Sequence, residues 1–448
     1  MALTGIEIYK KLPKTNCGEC GVPTCLAFAM KLAAGQAELS SCPYVSEQAK
    51  AELAEASAPP IRPVKIGIGD EAVTVGGETV LFRHEKTFVH QTGIAILISD
   101  TMDDAQIEQR VNKLEQFTYD RVGLVLRADL VALKCESGDS ARFEALVKKV
   151  AASTKQPMIL ICDKPEIMAA AAKASTEHKP LLYAATRDNA QAMAALAKET
   201  SCPLAVRADK LADLPELTET LTKAGVQDLV LDPGSRTPRD AFEDEIFIRR
   251  AALMKKFRPL GFSTIVFPCE MKDDPLEEAL LGAAFIAKYA GIIVLSDLAG
   301  ETLFPLLLTR MNIYSDPQRP MATQEGIYEI GGPSENSPVV LTCNFSLTYF
   351  IVMGEIESSR VPSWLLVKDT EGLSVMTAWA AGKFVADAIA PFVQKCGIAD
   401  KVKHKKIIIP GYAAAISGEL EEELPGWEVQ IGPREAAHIP AFLKQWKP

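Results

Sequence analysis

The chain reads as an α/β protein in three parts. These are a small cysteine-bearing N-terminal domain, a central TIM (β/α)8 barrel, and a C-terminal open α/β domain of flavodoxin/Rossmann type. Three observations predict this. Four cysteines crowd between Cys17 and Cys42. After Gln91, short apolar runs alternate with amphipathic or alanine-rich stretches eight times. A second, smaller strand–helix alternation then follows the Gly/Pro-rich stretch 325–338.

The N-terminal domain spans 1–57. Thr4 and Glu7 have the spacing of a capping box for a short helix ending near Leu12. The cysteines read Cys17-x2-Cys20-x4-Cys25, with a fourth, Cys42, directly before Pro43. Three closely spaced thiolates and one distant partner suit a [4Fe–4S] cube better than tetrahedral zinc, which usually pairs two Cys-x2-Cys knuckles. A zinc knuckle or a disulfide pair are the alternatives. Gly18 and Gly21 sit beside ligands, where backbone must bend tightly around an inorganic core. Pro23-Thr24 announces a helix over Leu26–Ala34 that Gly35 ends. Cys25 then falls in the first turn, where the helix dipole favours a thiolate. Ser46–Ala56 reads as a helix closing the domain, and 58–63 as a stiff Pro-rich linker that leaves the cluster domain mobile.

The barrel spans 64–323 and opens with a hairpin, Val73–Val75 against Thr79–Phe82 across Gly76-Gly77. The strand candidates are Ile94–Ile98, Val122–Leu126, Met158–Ile161, Leu181–Ala184, Leu204–Val206, Leu229–Leu231, Ile265–Phe267 and Ile292–Leu295. Helical stretches such as Asp104–Phe117, Ser140–Ala152, Asp188–Glu199 and Pro238–Phe257 separate them. Continuous apolar strands alternating with helices imply a parallel sheet covered on both faces, and eight units suit a closed barrel. A doubly wound open sheet is the alternative. Active sites in such barrels lie at the strand carboxyl ends, which here carry Asp100, Arg127, Asp163, Arg187, Arg207, Asp232, Glu270 and Asp297. No metal triad and no lysine at an apolar strand end appears among them, so the barrel reads as a scaffold or docking surface.

The C-terminal domain spans 324–448. Its strand candidates are Val339–Thr342, Trp364–Val367, Ile407–Ile409 and Glu428–Ile431. Its helix candidates are Leu347–Glu357, Ser374–Phe392, Ala413–Glu423 and Glu435–Gln445. Ligands in open sheets bind beyond the strand carboxyl ends. Those ends carry small and hydroxyl residues that let backbone amides approach a large ligand or its phosphate. Ordinary αβ-loop chemistry uses the same residues.

Composition narrows the function classes. A net charge of −10 argues against a general nucleic-acid binder. The N-terminus lacks the basic and apolar regions of a secretory signal, and no apolar run approaches the ~20 residues that span a bilayer. A cytoplasmic protein is expected. The six remaining cysteines, from Cys135 to Cys396, are scattered and read as free, buried small hydrophobes.

Over essentially its whole length the chain resembles the large subunit of the corrinoid iron–sulfur protein of the reductive acetyl-CoA pathway. The most specific parts are the run Asn16-Cys17-Gly18-Glu19-Cys20-Gly21-Val22-Pro23-Thr24-Cys25 with Cys42-Pro43, and the run from Lys368 to Thr377. The cluster motif alone is shared with other electron-transfer subunits; the order of the three domains is far more restrictive. The resemblance implies a methyl carrier in a multi-protein reaction rather than a stand-alone catalyst. A cobalt corrinoid accepts a methyl cation as Co(I) from methyltetrahydrofolate through a methyltransferase. It delivers the methyl group as methyl-Co(III) to acetyl-CoA synthase, and the [4Fe–4S] cluster on Cys17, Cys20, Cys25 and Cys42 reactivates Co(II). Implied partners are the small subunit of a heterodimer, the methyltransferase, and acetyl-CoA synthase/CO dehydrogenase, with no nucleic acid and no membrane. Loop position and resemblance together place the corrinoid on Thr342, Asn344, Phe345, Thr348, Thr370, Gly372, Leu373, Ser374, Val375, Met376, Thr377, Gly411, Tyr412, Ala413, Gly432, Pro433 and Glu435. Many corrinoid proteins bind cobalt through a His in Asp-x-His-x-x-Gly. None of His84, His90, His178, His404 and His438 lies in that motif, so a base-off cobalt without a protein His ligand is expected.

Two rival readings stay open. One is an iron–sulfur electron-transfer subunit without corrinoid. The other is a methyltransferase whose own barrel binds methyl-folate through Asp100, Asp163 and Asp232. The tripeptide Asp232-Pro233-Gly234 resembles the pterin-binding barrels, but it also suits a simple turn with a helix cap.

Overall fold

The computed structural model describes residues 5–33, 37, 39–46, 49, 53 and 59–448. Thr4, Gly35 and most of the helix expected over 46–56 lie outside the described residues. In chain order the strands are β1 (Val64–Ile66), β2 (Val73–Val75), β3 (Gly93–Ser99), β4 (Tyr119–Arg121), β5 (Leu124–Leu126), β6 (Leu130–Lys134), β7 (Met158–Ile161), β8 (Leu181–Ala185), β9 (Leu204–Arg207), β10 (Leu229–Asp232), β11 (Ser263–Val266), β12 (Ile292–Leu295), β13 (Gly326–Ile330), β14 (Val339–Cys343), β15 (Ser363–Lys368), β16 (Lys406–Ile409) and β17 (Glu428–Ile431). The chain divides into two compact units. One holds Met1–Leu81, Val89–Ile107 and Asp129–Asp297; the other holds Phe82–Phe88, Glu108–Ala128 and Leu298–Pro448.

In the first unit, helices Gly5–Lys11 and Cys25–Ala33 share a small core of Ile8, Leu12, Val22, Phe28 and Val45 with Cys25 and Cys42. Eight parallel strands close a barrel in the order β3-β6-β7-β8-β9-β10-β11-β12. Its interior is filled, with Ala132, Ile159, Leu181, Tyr183, Ala205, Val230, Ile265, Phe267 and Ile292 in one buried cluster. The antiparallel hairpin β1–β2 adds Val64, Ile66 and Val75 to that cluster and so plugs one end. The hairpin expectation needs correcting, because the partner of Val73–Val75 is Val64–Ile66 rather than Thr79–Phe82. Gly76 at φ +87 lies against the Arg62 carbonyl, so the chain there turns back along the Pro-rich stretch and forms no second strand. That stretch is itself held down. Arg258 donates to the Pro59 carbonyl at 3.0 Å, the Arg62 amide to Gly261 at 2.9 Å, and the Gly77 amide to Ile61 at 2.9 Å.

The second barrel strand is also a correction. It is Leu130–Lys134, and the predicted run Val122–Leu126 instead forms the hairpin β4–β5 in the second unit. Val122 and Gly123, at φ +50 and +76, make its turn. The hairpin packs locally, with Tyr119 on Phe304 at 4.9 Å and Gly123 under Phe350. Arg127 is therefore not at a barrel strand end; its carbonyl accepts from Arg310 at 2.8 Å.

The main body of the second unit is a five-stranded sheet ordered β13-β15-β14-β16-β17. β14, β15, β16 and β17 run parallel, and β13, unanticipated in the Gly/Pro-rich boundary, pairs antiparallel at the edge. Alternate residues of β14 serve two cores. Val339, Leu341 and Cys343 face one helical layer, Val340 the other. The helix expected over Ser374–Phe392 is two helices, Val375–Ala380 and Ala386–Lys395. Gly382 at φ +70 breaks it, and Phe384 is fully buried in the break. The segment expected as a helix from Ala413 begins as a 3-10 helix, Gly411–Ile416, and becomes α-helical at Ser417–Glu423.

Candidate functional site

At the N-terminal cysteines, Gly18 and Gly21 hold φ +78 and +77, with the Gly21 amide donating to Gly18 O at 2.9 Å. No atom lies within 4 Å of where a Cβ would sit on either, so glycine is needed there for backbone angle and not for space. Cys25 opens its helix, and Thr24 Oγ1 caps it by accepting from the Ala27 amide at 3.1 Å. Asn16, at φ +48, accepts from the Cys25 amide at 2.8 Å and donates its own amide to Cys25 Sγ at 3.4 Å. Cys25 and Cys42 are buried, Cys20 half-buried and Cys17 exposed. Tyr44 donates to Glu19 at 2.8 Å; that bond and the Glu19 charge, with smaller effects of Cys17 and Cys42, push its phenol up. Among the described residues no three His, Cys, Asp or Glu side chains converge as a single ion requires. The donor set is all thiolate, with Cys20, Cys25 and Cys42 in or against a small apolar core, and such a set is one that an iron–sulfur cube takes.

The barrel mouth is occupied by its own charges. Asp232, 1 % exposed, takes Arg236 in a two-pronged pair at 2.8 and 3.1 Å, accepts from the Gly234 amide at 2.8 Å and bonds the Tyr183 hydroxyl. Arg236 also pairs with Glu270. Asp100 accepts from the Ser137 amide and the Glu136 amide, each at 2.9 Å. Burial opposes its ionisation, yet these bonds and the Ser137 hydroxyl hold the carboxyl below its ordinary value. Asp163 pairs with Arg207 at 3.5 Å, and Arg187 with Asp213 at 3.7 Å. Of the three carboxylates that could have met methyl-folate, Asp100 and Asp232 are thus committed to neighbours in the same rim, while Asp163 stays largely exposed.

The second unit contains a cavity of about 250 Å³ at the carboxyl ends of β14 and β16. The strand order places β15 on one side of β14 and β16 on the other, so successive connections leave in opposite directions at this point. Open sheets bind ligands at such a reversal. Of the residues proposed from the sequence, Thr342, Thr348, Ser374, Val375, Met376, Tyr412, Gly432 and Pro433 line it. Thr342 Oγ1 is buried without a hydrogen-bond partner, the neighbouring Cys343 sulfur being only a weak acceptor for it. Tyr412, half exposed, is pinned at the edge by a 2.8 Å bond to Glu435, which raises its phenol.

Of the other proposed residues, Thr377 and Glu435 are exposed and the rest stand behind the wall. Asn344 Oδ1 accepts from the amides of Thr370 at 3.0 Å and Gly372 at 2.9 Å, while its Nδ2 donates to Asp369 at 2.7 Å. The Thr370 hydroxyl lies 2.9 Å from Asn344 Oδ1 and 2.8 Å from Leu373 O, so it braces the same turn. Gly372 at φ +74 lies against Pro320. Phe345, Leu373 and Ala413 pack in the core, Gly411 crosses close to Gly432, and Thr377 bonds Ser374 at 3.1 Å. Reading loops alone missed Val352, Ile408, Arg434 and the last helix's Ile439, Phe442 and Leu443. Their i, i+3, i+4 spacing was visible but is the same as that of any core-facing stripe.

No histidine lines the cavity. His404 Nε2 is bound to Ser337 O at 2.9 Å, His90 Nδ1 to Gly76 O at 2.7 Å, and His438 is exposed.

The family described as CO dehydrogenase/acetyl-CoA synthase delta subunit matches residues 63–443, and a putative Fe-S cluster family matches residues 12–44. The corrinoid/iron-sulfur protein large subunit of Moorella thermoacetica is 49% identical over 99% of each chain. The acetyl-CoA decarbonylase/synthase complex subunit gamma of Methanopyrus kandleri is 37% identical over 99% of this chain and 98% of its own. Among solved structures, dihydropteroate synthase from Thermus thermophilus aligns at a TM-score of 0.39 and 17% identity over 56% of this chain and 100% of its own. A four-cysteine N-terminal fold, a filled barrel and a reversal-point cavity thus occur on one chain that matches these relatives from end to end, and the chain belongs to the corrinoid/iron–sulfur protein large-subunit family.

Proposed function

We propose that this chain is the methyl-carrying subunit of an acetyl-CoA synthase system, with a base-off corrinoid at the β14/β16 cavity and a [4Fe–4S] cluster on Cys17, Cys20, Cys25 and Cys42. The observation that carries the reading is the apolar cavity with the partnerless Thr342 hydroxyl in its wall. A buried hydroxyl without a partner is costly, and a ligand atom that pairs with it removes the cost. When bound, the corrinoid's cobalt takes a methyl cation from methyltetrahydrofolate through a methyltransferase and yields it to acetyl-CoA synthase, and the cluster supplies the electron that restores the cobalt's nucleophilic state.

The chain's own residues have distinct tasks. At about 250 Å³ the cavity suits the nucleotide tail, leaving the macrocycle against the open rim of Met376 and Tyr412, each more than two-fifths exposed. Thr342, Thr348 and Ser374 offer the tail hydroxyls in a mainly apolar wall that also carries Tyr412 and Arg434. Asn344 and Thr370 hold the turn that carries Ser374. None of the described histidines is among the residues lining the cavity, although His438 lies between the lining residues Ala436 and Ile439, and a cobalt without a protein nitrogen ligand is part of the same proposal. A missing nitrogen donor makes the higher oxidation states less stable and reduction easier, since the axial ligand sets the potential. The satisfied charges of the barrel mouth support a scaffold role for the barrel. In this reading the small subunit covers the exposed ring face. The cytoplasmic setting is part of the same proposal, and no described helix is long and apolar enough to cross a membrane.

The test is metal content with visible absorption and EPR on protein purified without oxygen together with its partner. About four iron and one cobalt per chain with a base-off Co(II) signal is the expected result. Iron without cobalt would overturn the corrinoid assignment and leave an electron-transfer subunit.

A further inference from the structure

The segment before the first cysteine carries a feature that ligand counting does not use. Asn16 sits at φ +48, a backbone region that Asn, Asp and Gly enter with least strain. There it grips Cys25 twice. Its side-chain oxygen accepts from the Cys25 amide at 2.8 Å, and its backbone amide donates to Cys25 Sγ at 3.4 Å. The left-handed turn brings both groups to one side, so side-chain bond and amide–sulfur contact support each other. Cys25 is buried at 6 % exposure, where such a bond is little screened by water.

We propose that Asn16 is a positioning residue that fixes the Cys25 thiolate and sets the reduction potential of the cluster it holds. The inference rests on the reading of the cysteines as cluster ligands. An N–H···S bond draws charge from the sulfur and favours the more negative, reduced cluster, which raises the potential. The same physics explains the choice of residue. Glycine would reach this φ but offers no acceptor for the Cys25 amide. Aspartate would offer one but place a second negative charge beside a thiolate.

The experiment is an anaerobic potentiometric titration, followed by EPR, of the partner-bound protein and its Asn16→Gly and Asn16→Asp variants, with iron loss to a chelator timed in parallel. Asn16→Gly keeps the backbone amide but loses the side-chain acceptor that holds it against Cys25 Sγ, so the amide–sulfur contact loosens, the midpoint moves to more negative potential and iron leaves several-fold faster. Asn16→Asp keeps the acceptor, so it retains iron as the native chain does while its midpoint also moves negative. A native midpoint in Asn16→Gly, even with faster iron loss, would reduce Asn16 to a loop-structural role and overturn the proposal. If Asn16→Gly assembles no cluster, Asn16→Asp decides: an unshifted midpoint there overturns it. A native protein without any [4Fe–4S] signal would instead remove the underlying cluster assignment.

Discussion

Replacing Asn344 by alanine tests whether one buried side chain holds the turn behind the cavity wall in place. Asn344 is 4 % exposed and binds the amides of Thr370 and Gly372 and the carboxylate of Asp369. The turn it secures contains Glu371 and Gly372 at φ +56 and +74, two successive left-handed residues that relax readily without support. Alanine leaves both amides buried and unpaired. Each such loss costs ~1–3 kcal/mol, so the variant is expected to be less stable by about 3 kcal/mol. The Thr370 hydroxyl adds little, because it can turn to Leu373 O at 2.8 Å. All four tryptophans, Trp364, Trp379, Trp427 and Trp446, lie in the second unit. Urea unfolding followed by tryptophan fluorescence therefore reports this unit and not the barrel. Corrinoid retention should fall with stability, because Ser374, Val375 and Met376 leave the same turn. Iron content should stay unchanged. Unfolding within ~0.5 kcal/mol of the native chain, with full cobalt retained, would refute the reasoning.

Thr342→Val removes a partnerless hydroxyl, so the cobalt-free chain should be as stable as the native one or slightly more so, while corrinoid dissociation should speed up about five- to tenfold for ~1 kcal/mol of lost hydrogen bonding; equal dissociation rates would take Thr342 out of the site. Glu245 is fully buried with Oε1 unpaired, and burial raises its carboxyl to about 8 against an ordinary 4.5. A folded pKa raised above the unfolded one gives stability that is present below about 4.5 and lost as pH rises toward about 8. Urea midpoints should therefore fall across that range in the native chain and stay flatter in Glu245→Gln; parallel curves would contradict the linkage. Asp232→Ala leaves the buried Tyr183 hydroxyl without its acceptor and Arg236 with Glu270 as its remaining carboxylate, and should cost ~1–3 kcal/mol, with cobalt and iron content unchanged by elemental analysis. The isolated native chain should bind no methyl-folate by calorimetry, since Arg236 already occupies Asp232.

Much of the architecture was legible because burial on both faces leaves a strong local signature. Runs such as Leu181–Ala184 and Ile292–Leu295 can only be buried parallel strands once helices separate them, and seven of the eight predicted barrel strands overlap those observed. The second was misplaced because Val122–Leu126 and Leu130–Lys134 are both short apolar runs. Only pairing distinguishes them, and Leu124 and Val125 prove exposed, at 41 % and 62 %. β13 was invisible because its residues are mixed in polarity and its pairing with β15 is made by backbone. Likewise the sequence marked the cavity's loops but not its floor, because an apolar stripe on the last helix looks the same whether it meets a core or a ligand.

By itself the sequence determined the chemistry available: four cysteines at cluster spacing, no histidine in a cobalt-binding motif, and hydroxyl-rich turns after parallel strands. Those are properties of residue type and near-neighbour spacing, which the backbone transmits directly. Tertiary structure decided which of those groups are free to act. It paired Asp232 with Arg236, turned Asn344 and Thr370 inward to brace a turn, and left Thr342 facing the cavity without a partner. Whether a polar atom is satisfied depends on residues far away in sequence, so only the folded chain could settle it.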